Sequence, residues 1–143
     1  MIFCDTSAAA KIYALERESA SVQLLFDTED DICLSELTRV EIMGVFHKRL
    51  REGLWNQTQF LAGLRQFTKD DLSGFWTWLP LDKSIIEAAA KIYTTLPNTI
   101  FLRSSDCLHL VTALHHNFAE IYTYDRHQLL AASFLGLKAV VAS

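Results

Sequence analysis

Four acidic residues of the chain lie beside or within apolar segments, at positions where they could carry chemistry: Asp5, Glu41, Asp106 and Asp125. Asp5 follows the short apolar run MIFC, and Asp125 follows the strand-like segment AEIYTY. Glu41 interrupts the apolar stretch TRVEIMGVF, where an unpaired buried charge would be unfavourable. Asp106 lies just inside a predicted helix start, where the helix dipole favours negative charge. Taken singly, each acid has an ordinary structural explanation as a helix cap, a first-turn charge or one partner of an ion pair.

If these acids converged on one point, their mutual repulsion would have to be offset. Two carboxylates about 4 Å apart repel by roughly 4 kcal/mol at an effective dielectric constant of about 20. Protonation, a divalent cation or basic partners would relieve that repulsion, and the candidate basic partners are Lys11, Arg39, Arg103 and Arg126. Oxygen ligands without histidine or thiolate are those that Mg²⁺ and Mn²⁺ prefer. Such an ion can activate water and stabilise a phosphoryl transition state.

The elements that must position the acids alternate along the chain between strand-like and helix-like segments. The strand candidates are MIFC, DICLS, WTWLPL, AEIYTYD and LKAVVA. Apolar residues recur between them at helical spacing, as in LRSSDCLHLVTAL, where Ser104 and Ser105 are candidate helix caps. This alternation predicts an α/β domain with a mainly parallel sheet covered by helices on both faces. Ligands of such sheets bind beyond the carboxyl ends of the strands, where we expect Asp5 and Asp125.

Length and composition favour a single domain spanning residues 1–143. Half of the residues are apolar, but no apolar run is long enough to span a bilayer. The N-terminus lacks the order of a signal peptide, and the three cysteines lack the spacing of a zinc site. We therefore expect reduced, buried cysteines and a cytoplasmic protein. The net charge of −4 excludes nucleic-acid binding through bulk positive charge, so any RNA contact must come from local patches or through a metal ion.

Four motifs follow one another along the chain: CDTSA at Asp5, TRVEIMG at Glu41, LRSSDCLHLVTA at Asp106, and YTYDRHQLLAA followed by LGL at Asp125. None of them is specific alone. Their order, their spacing and the chain length together resemble the PIN-domain proteins, and specifically the VapC-type toxin ribonucleases. The resemblance covers essentially the whole chain. It implies a three-layer α/β/α sandwich with a mainly parallel five-stranded sheet, and metal-dependent cleavage of RNA phosphodiester bonds.

The resemblance also implies roles for individual residues. The acids that would bind Mg²⁺ or Mn²⁺ and carry catalysis are Asp5, Glu41, Asp106 and Asp125. The residues expected to support these acids or to contact substrate are Thr6, Ser7, Arg103 and Thr123. The expected protein is an endoribonuclease toxin of a type II toxin–antitoxin pair, with RNA, a cognate antitoxin protein and a second copy of itself as partners. Its product would carry a 5′-phosphate, since water rather than the ribose 2′-OH attacks phosphorus.

Three alternative functions stay open at this point. An RNA-processing PIN nuclease would share the acids without a toxin role. A non-catalytic RNA-binding or scaffold domain would not need all four acids. An aspartyl phosphotransferase is suggested by Asp5 at a strand end followed by Thr6, but Ser7 stands where a haloacid-dehalogenase-like phosphatase has its second acid.

Other residues with chemical potential have simpler structural interpretations. His109 is expected to pack against its helix, although it shares a helical face with Asp106. The basic run KRLR at 48–51 suits a solvated helix end, with RNA phosphates as the alternative partner. The aromatic run FWTW at 75–78 suits core or dimer packing better than base stacking.

An antitoxin would have two features to engage on such a protein. An arginine inserted among the carboxylates would pair with them bidentately and compete with the metal ion. Apolar residues of the first helices would offer a groove for a partner helix or an extended segment. These residues are Ile12, Tyr13, Leu24 and Leu25, and the helix that carries Glu41 would add its own apolar surface.

Overall fold

The computed structural model describes residues 1–142 of the 143-residue chain. Its strands are β1 (Ile2–Phe3), β2 (Ile32–Ser35), β3 (Trp76–Leu79), β4 (Glu120–Tyr122) and β5 (Lys138–Val140). Its helices are α1 (Thr6–Ala9), α2 (Ser19–Asp27), α3 (Leu37–Arg51), α4 (Gln57–Leu72), α5 (Lys83–Ile92), α6 (Ser104–His115) and α7 (Arg126–Phe134), with a 3₁₀ turn over Ala10–Ile12. The predicted alternation of strands and helices is confirmed.

All of the strand pairs are parallel, and β1 lies at the centre. β1 pairs with β2, where Ile2 stands opposite Ile32, and β2 pairs in turn with β3. β4 and β5 form a second, two-stranded sheet. A bridge between Cys4 and Tyr122 joins the two sheets, and the Asp5 amide donates to the Tyr122 carbonyl at 3.1 Å. The expected five parallel strands therefore occur in the order β3-β2-β1-β4-β5, as a three-stranded and a two-stranded sheet joined side by side.

Alternate strand residues bury their side chains in two separate apolar cores. Ile2 and Leu34 belong to the core beneath α1 to α4, while Phe3, Cys33 and Ile121 belong to the core beneath α5 to α7. This period of two follows from the pleat of a strand, which points successive side chains to opposite faces. The three-layer α/β/α sandwich is confirmed.

The strand order reverses between β1 and β4. The chain builds outward from β1 through β2 to β3 and then returns to the other side of β1 as β4. In parallel sheets such a reversal opens a crevice at the carboxyl ends of the strands, because the connections on either side lead to opposite faces. Asp5 follows β1 and Asp125 follows β4, so both lie at this crevice.

Both of these aspartates also cap helices. Asp5 Oδ1 accepts the Ala8 N–H at 3.1 Å at the start of α1. Asp125 Oδ1 accepts the His127 N–H at 2.9 Å at the start of α7. Because an N-cap side chain satisfies an otherwise unpaired backbone N–H, the two helix starts fix the positions of the two carboxylates.

The predicted capping of α6 by Ser104 or Ser105 is wrong. Both serines are already helical residues, and the residue before the helix is Arg103, whose backbone is extended. No side chain caps this helix start. The placement of Asp106 in its first turn is confirmed.

The cysteines Cys4, Cys33 and Cys107 are buried and carry free thiols, as predicted. Burial raises the pKa of the Cys107 thiol to about 11. Within residues 1–142, the helices are too short or too polar to cross a membrane.

The aromatic run at 75–78 packs inside the domain. Trp76 is buried, and its indole N–H donates to the Tyr13 hydroxyl at 3.0 Å. The Tyr13 hydroxyl in turn donates to Asp70 at 2.5 Å. Trp78 donates to Asp71 at 2.7 Å and lies 3.9 Å beneath the Arg39 guanidinium. Core packing, rather than base stacking or dimer contact, therefore accounts for Trp76.

Tyr13→Phe should lower the free energy of unfolding by about 1–3 kcal/mol, because it leaves the buried Trp76 N–H without an acceptor. Urea denaturation followed by tryptophan fluorescence measures this change. Tyr122→Phe is the matched control, since the Tyr122 hydroxyl makes no hydrogen bond within residues 1–142, and it should change stability by less than about 0.5 kcal/mol. Equal losses in the two variants would contradict this account of the aromatic core.

Candidate active site

A cavity of about 600 Å³ opens at the carboxyl edge of the sheet, between the ends of β1 and β4. All four of the acids singled out in the sequence line it: Asp5, Glu41, Asp106 and Asp125. Thr6, Ser7 and Arg103 also line the cavity. Segments that are distant in sequence, at β1, α3, α6 and the start of α7, thus bring their acids to one place.

Asp5 lies buried in the cavity with both carboxylate oxygens fully engaged. Oδ1 accepts the Ser7 hydroxyl at 2.6 Å and the backbone N–H that it caps at 3.1 Å. Oδ2 accepts the Thr123 hydroxyl at 2.5 Å and the Gln128 side-chain amide at 2.8 Å. A carboxylate offers about four lone-pair sites, so Asp5 is saturated. Burial raises the pKa of Asp5 above its ordinary value, and the charge of His109 and the hydroxyl donors only partly oppose this effect.

Two hydroxyl groups tie the end of β1 to the end of β4. Thr123 donates to Asp5 and accepts the backbone N–H of Asp125 at 3.0 Å. Ser7 likewise donates to Asp5 and accepts the backbone N–H of Tyr124 at 2.9 Å. Each of these side chains therefore fixes an acid and the neighbouring backbone at the same time.

Arg103 bridges two of the acids. Its Nε donates to Asp106 Oδ2 at 3.0 Å, and a terminal nitrogen donates to Asp125 Oδ2 at 2.5 Å. The hydrogen bond to Asp106 and the charges of both carboxylates raise the pKa of Arg103 above its ordinary value. The Arg103 side chain is 54% exposed, so these ion pairs are open to water and can exchange.

Asp106 is linked to Asp5 through a residue that the sequence analysis missed. Nε2 of Gln128 lies 3.3 Å from Asp106 Oδ1 and 2.8 Å from Asp5 Oδ2. A signal was available, since Gln128 shares the buried face of α7 with Ala131 and Ala132. A polar side chain on such an apolar face needs a hydrogen-bonding partner, and the two acids supply it.

Glu41 is held by a hydroxyl and by an imidazole. Its Oε1 accepts the Thr6 hydroxyl at 2.7 Å and lies 2.5 Å from His109 Nε2. Because a carboxylate only accepts hydrogen bonds, His109 carries a proton on Nε2. Burial alone would raise the pKa of Glu41, but the hydrogen bond and charge of His109, with Thr6 and Arg103, hold it below its ordinary value. His109 is buried as predicted, yet the prediction of simple packing missed its contact with an acid.

Among the basic residues considered as partners for the four acids, only Arg103 contacts them within residues 1–142. Lys11 pairs with acids of the loop before α2, and Arg39 pairs with Glu36 and Asp71 away from the cavity. Lys48 lines the cavity without an ion pair among these residues. The acidic cluster is therefore only partly neutralised by the chain itself.

The oxygen donors of the cavity suit a hard cation, although they do not form a closed cage. Residues 1–142 contain no group of three or more His, Cys, Asp or Glu side chains gathered closely enough to hold a metal ion. Glu41 Oε2 accepts no hydrogen bond within these residues, and each oxygen of Asp106 accepts only one. Mg²⁺ is normally held through one or two carboxylates and keeps several waters, so the residues present fit such an ion.

The whole chain aligns with known proteins. The family described as PIN domain matches residues 2–133. The chain is also 30% identical over 144 residues to ribonuclease VapC46 of Mycobacterium tuberculosis, an alignment that covers 99% of this chain and 98% of that protein.

Several solved structures share the fold. VapC20 of Mycobacterium tuberculosis, described as a sarcin–ricin loop cleaving toxin, has a TM-score of 0.73 at 16% identity, covering 96% of this chain and 99% of that one. A toxin–antitoxin complex from Klebsiella pneumoniae has a TM-score of 0.65 at 20% identity, covering 100% and 98%. FitAcB from Neisseria gonorrhoeae has a TM-score of 0.67 at 19% identity, covering 97% and 96%. With a family match over nearly its whole length and a full-length VapC relative, the chain belongs to the PIN-domain family as a VapC-type member.

Proposed function

We propose that this protein is a Mg²⁺- or Mn²⁺-dependent endoribonuclease that hydrolyses RNA phosphodiester bonds. The observation that carries the proposal is the convergence of four acids from separate segments on one cavity at the strand-order reversal. Clustered carboxylates repel one another and do not stabilise a fold, so their convergence points to a functional site. The similarity to ribonuclease VapC46 supports RNA as the substrate.

Glu41 and Asp106 would hold the cation, because Glu41 Oε2 accepts no hydrogen bond within residues 1–142 and each Asp106 oxygen accepts only one. Asp125 would complete the site directly or through water, and Asp5 would join it by exchanging one of its hydroxyl donors for the cation or its water. When bound, a divalent cation lowers the pKa of a water nucleophile and neutralises charge on the transferring phosphoryl group. Water would attack phosphorus and the ribose 3′-oxygen would leave, so the product would carry a 5′-phosphate and a free 3′-OH.

The side chains around the acids would orient the site and the RNA. Thr6 and His109 hold Oε1 of Glu41 in the cavity wall and leave Oε2 without a hydrogen bond within residues 1–142. Arg103 and Lys48 give the cavity local positive charge on a protein whose net charge is −4. A guanidinium released from Asp106 and Asp125 by a cation would be free to bind a phosphate, for which its planar fork is suited.

The same similarity supports a toxin role, as the toxin component of a type II toxin–antitoxin system. VapC20 is described as a toxin, and the Klebsiella pneumoniae structure as a toxin–antitoxin complex. A nuclease that cuts cellular RNA must be held inactive in the cell that makes it. We therefore propose a cognate antitoxin protein as the partner of this chain.

An apolar groove outside the acidic cavity is a candidate docking site for this antitoxin. A second cavity of about 470 Å³ lies between the 3₁₀ turn and the ends of α3 and α4, lined by Ile12, Leu15, Leu54 and Trp55 among others. Leu15 and Leu54 are 72% and 61% exposed there. Of the surface predicted from the sequence, Leu24 is exposed, whereas the side chain of Tyr13 is buried in the core.

Asp106→Asn should preserve the fold and reduce RNA cleavage by more than about 100-fold. Loss of a residue that only supports a metal ligand typically costs roughly 10–100-fold, and loss of a ligand itself should cost more. The reason is that an amide is a poorer ligand than a carboxylate for a hard cation. Cleavage of an end-labelled RNA in the presence of Mg²⁺ measures the loss, and circular dichroism checks the fold. EDTA should likewise stop cleavage by the wild-type protein, and added Mg²⁺ or Mn²⁺ should restore it.

Asp27→Asn is the matched control for this substitution. Asp27 lies at the exposed end of α2, away from the cavity, and accepts a hydrogen bond from Gln23. Its replacement should leave cleavage at the wild-type rate. Undiminished cleavage by the wild-type protein in EDTA would rule out the metal-dependent mechanism.

Expression of this chain alone should arrest growth of a bacterial host, and co-expression of its antitoxin should relieve the arrest. Leu54→Glu should keep the arrest but weaken the relief, because a charge in the apolar groove disfavours partner docking. Ile86→Glu is the control, since Ile86 is an exposed residue of α5 outside this groove. Overexpression of the wild-type chain with no effect on growth or RNA integrity would remove the toxin role and leave an RNA-processing nuclease.

We also propose that the protein acts as a homodimer in the cytoplasm. Val40, Leu72 and Leu130 are 71%, 84% and 68% exposed, so the outer surface keeps apolar side chains that a second copy can cover. An RNA substrate and three free cysteines fit a reducing compartment.

Sedimentation equilibrium should therefore give about twice the chain mass of 16.2 kDa at micromolar concentrations. The apolar side chains exposed on the monomer would then be covered in the dimer. A mass equal to that of one chain throughout the concentration series would contradict self-association.

A further inference from the structure

Gln128 places a buried amide between two of the acids, and the proposed chemistry does not use it. It is the third residue of α7, and its side chain has 0% exposure. Its Nε2 lies 2.8 Å from Asp5 Oδ2 and 3.3 Å from Asp106 Oδ1. Asp5 follows β1, and Asp106 lies in the first turn of α6. The amide of Gln128 therefore connects α7 with both of these elements at the cavity.

The two acids fix the orientation of this amide. Carboxylates only accept hydrogen bonds, so the NH₂ group of Gln128, with its two donors, must face them. Its Oε1 then points away and is buried without a partner within residues 1–142. An unsatisfied buried carbonyl lowers stability, and an apolar side chain on this alanine-rich helix face would avoid the loss. The acids, rather than the packing of α7, therefore account for a glutamine at this position.

We infer that Gln128 is a positioning residue that holds Asp5 and Asp106 in the arrangement that binds the divalent cation. By donating one N–H to each carboxylate, it draws two like charges together without adding a positive charge. Arg103 differs in this respect, because its guanidinium competes with a cation for the oxygens that it contacts. The neutral amide leaves the remaining lone pairs of Asp106 open. This inference rests on the proposed function, since it requires that the acids bind a cation.

Gln128→Met tests the inference, because methionine keeps the length and volume of the side chain and removes both donors. Binding of Mn²⁺ alone, without RNA, is measured by isothermal titration calorimetry on the full chain. The dissociation constant should rise about 10- to 100-fold, the effect typical of losing an outer-shell partner. The melting temperature of the metal-free protein is measured alongside, so that loss of fold is separated from loss of affinity.

Thr112→Val is the matched control. Thr112 is a fully buried polar residue on the same helix as Asp106, and its hydroxyl donates to the Leu108 carbonyl at 2.7 Å. Its loss removes one buried hydrogen bond without touching an acid. It should lower the melting temperature and leave Mn²⁺ affinity unchanged. A role of Gln128 in stability alone would make Gln128→Met behave in the same way as this control.

Gln128→Asn covers the case in which the methionine variant does not fold. Its amide is one methylene shorter and cannot span both carboxylates, so the folded protein should also bind Mn²⁺ more weakly. The inference would be overturned if a folded Gln128 variant bound Mn²⁺ with wild-type affinity. It would also be overturned if the wild-type protein did not bind Mn²⁺.

An RNA cleavage assay on the same samples separates this inference from the proposed function. Gln128-dependent Mn²⁺ binding without RNA cleavage by the wild-type protein would leave the positioning role standing and remove the ribonuclease assignment. RNA cleavage by the wild-type protein, combined with Mn²⁺ binding that does not depend on Gln128, would support the ribonuclease assignment and remove the positioning role of Gln128.

Discussion

Repulsion among carboxylates that share one cavity is the constraint around which this site is built. The four acids meet this repulsion in three ways. Asp5 is saturated by neutral donors, Glu41 is held by Thr6 and the imidazole of His109, and Arg103 bridges Asp106 and Asp125. Glu41 Oε2 accepts no hydrogen bond within residues 1–142, so the cluster is only partly neutralised by the chain itself. The fold thus tolerates an acidic cluster at the expense of stability.

The parallel sheet decides where this cluster forms. β1 is flanked by β2 on one side and by β4 on the other, so the residues after β1 and β4 share the crevice where the strand order reverses. Asp5 and Asp125 use the same carboxylates to cap α1 and α7, and the helix starts therefore hold the acids in place. Capping is compatible with the proposed metal-binding role of these residues, because the capped N–H takes only one of the four or so lone-pair sites of a carboxylate.

The parts of this arrangement that are local in sequence were predictable, and the parts that depend on distant contacts were not. Short apolar runs identified all five strands, and an acid after a strand, in the first turn of a helix or inside an apolar helix face identified the four cavity acids. The bridge from Arg103 to Asp125 joins residues on separate elements, so spacing could not predict it. Gln128 and His109 were detectable in principle as polar residues on buried helix faces, but only the fold shows which acids they meet. Ser104 and Ser105 are a local sequence signal that failed. Both are good capping residues, but α6 already begins at Ser104, so Arg103 occupies the capping position.

The central claim is that the four acids form one cation site, and anomalous diffraction from a crystal soaked in Mn²⁺ tests it most directly. The account predicts an anomalous peak in the cavity, with Asp106 and at least one other of the four acids at coordination distance, about 2.0–2.4 Å. It also predicts that Arg103 has left at least one of its two carboxylates. A cavity without Mn²⁺ at saturating concentration, with Arg103 still bridging Asp106 and Asp125, would contradict the account.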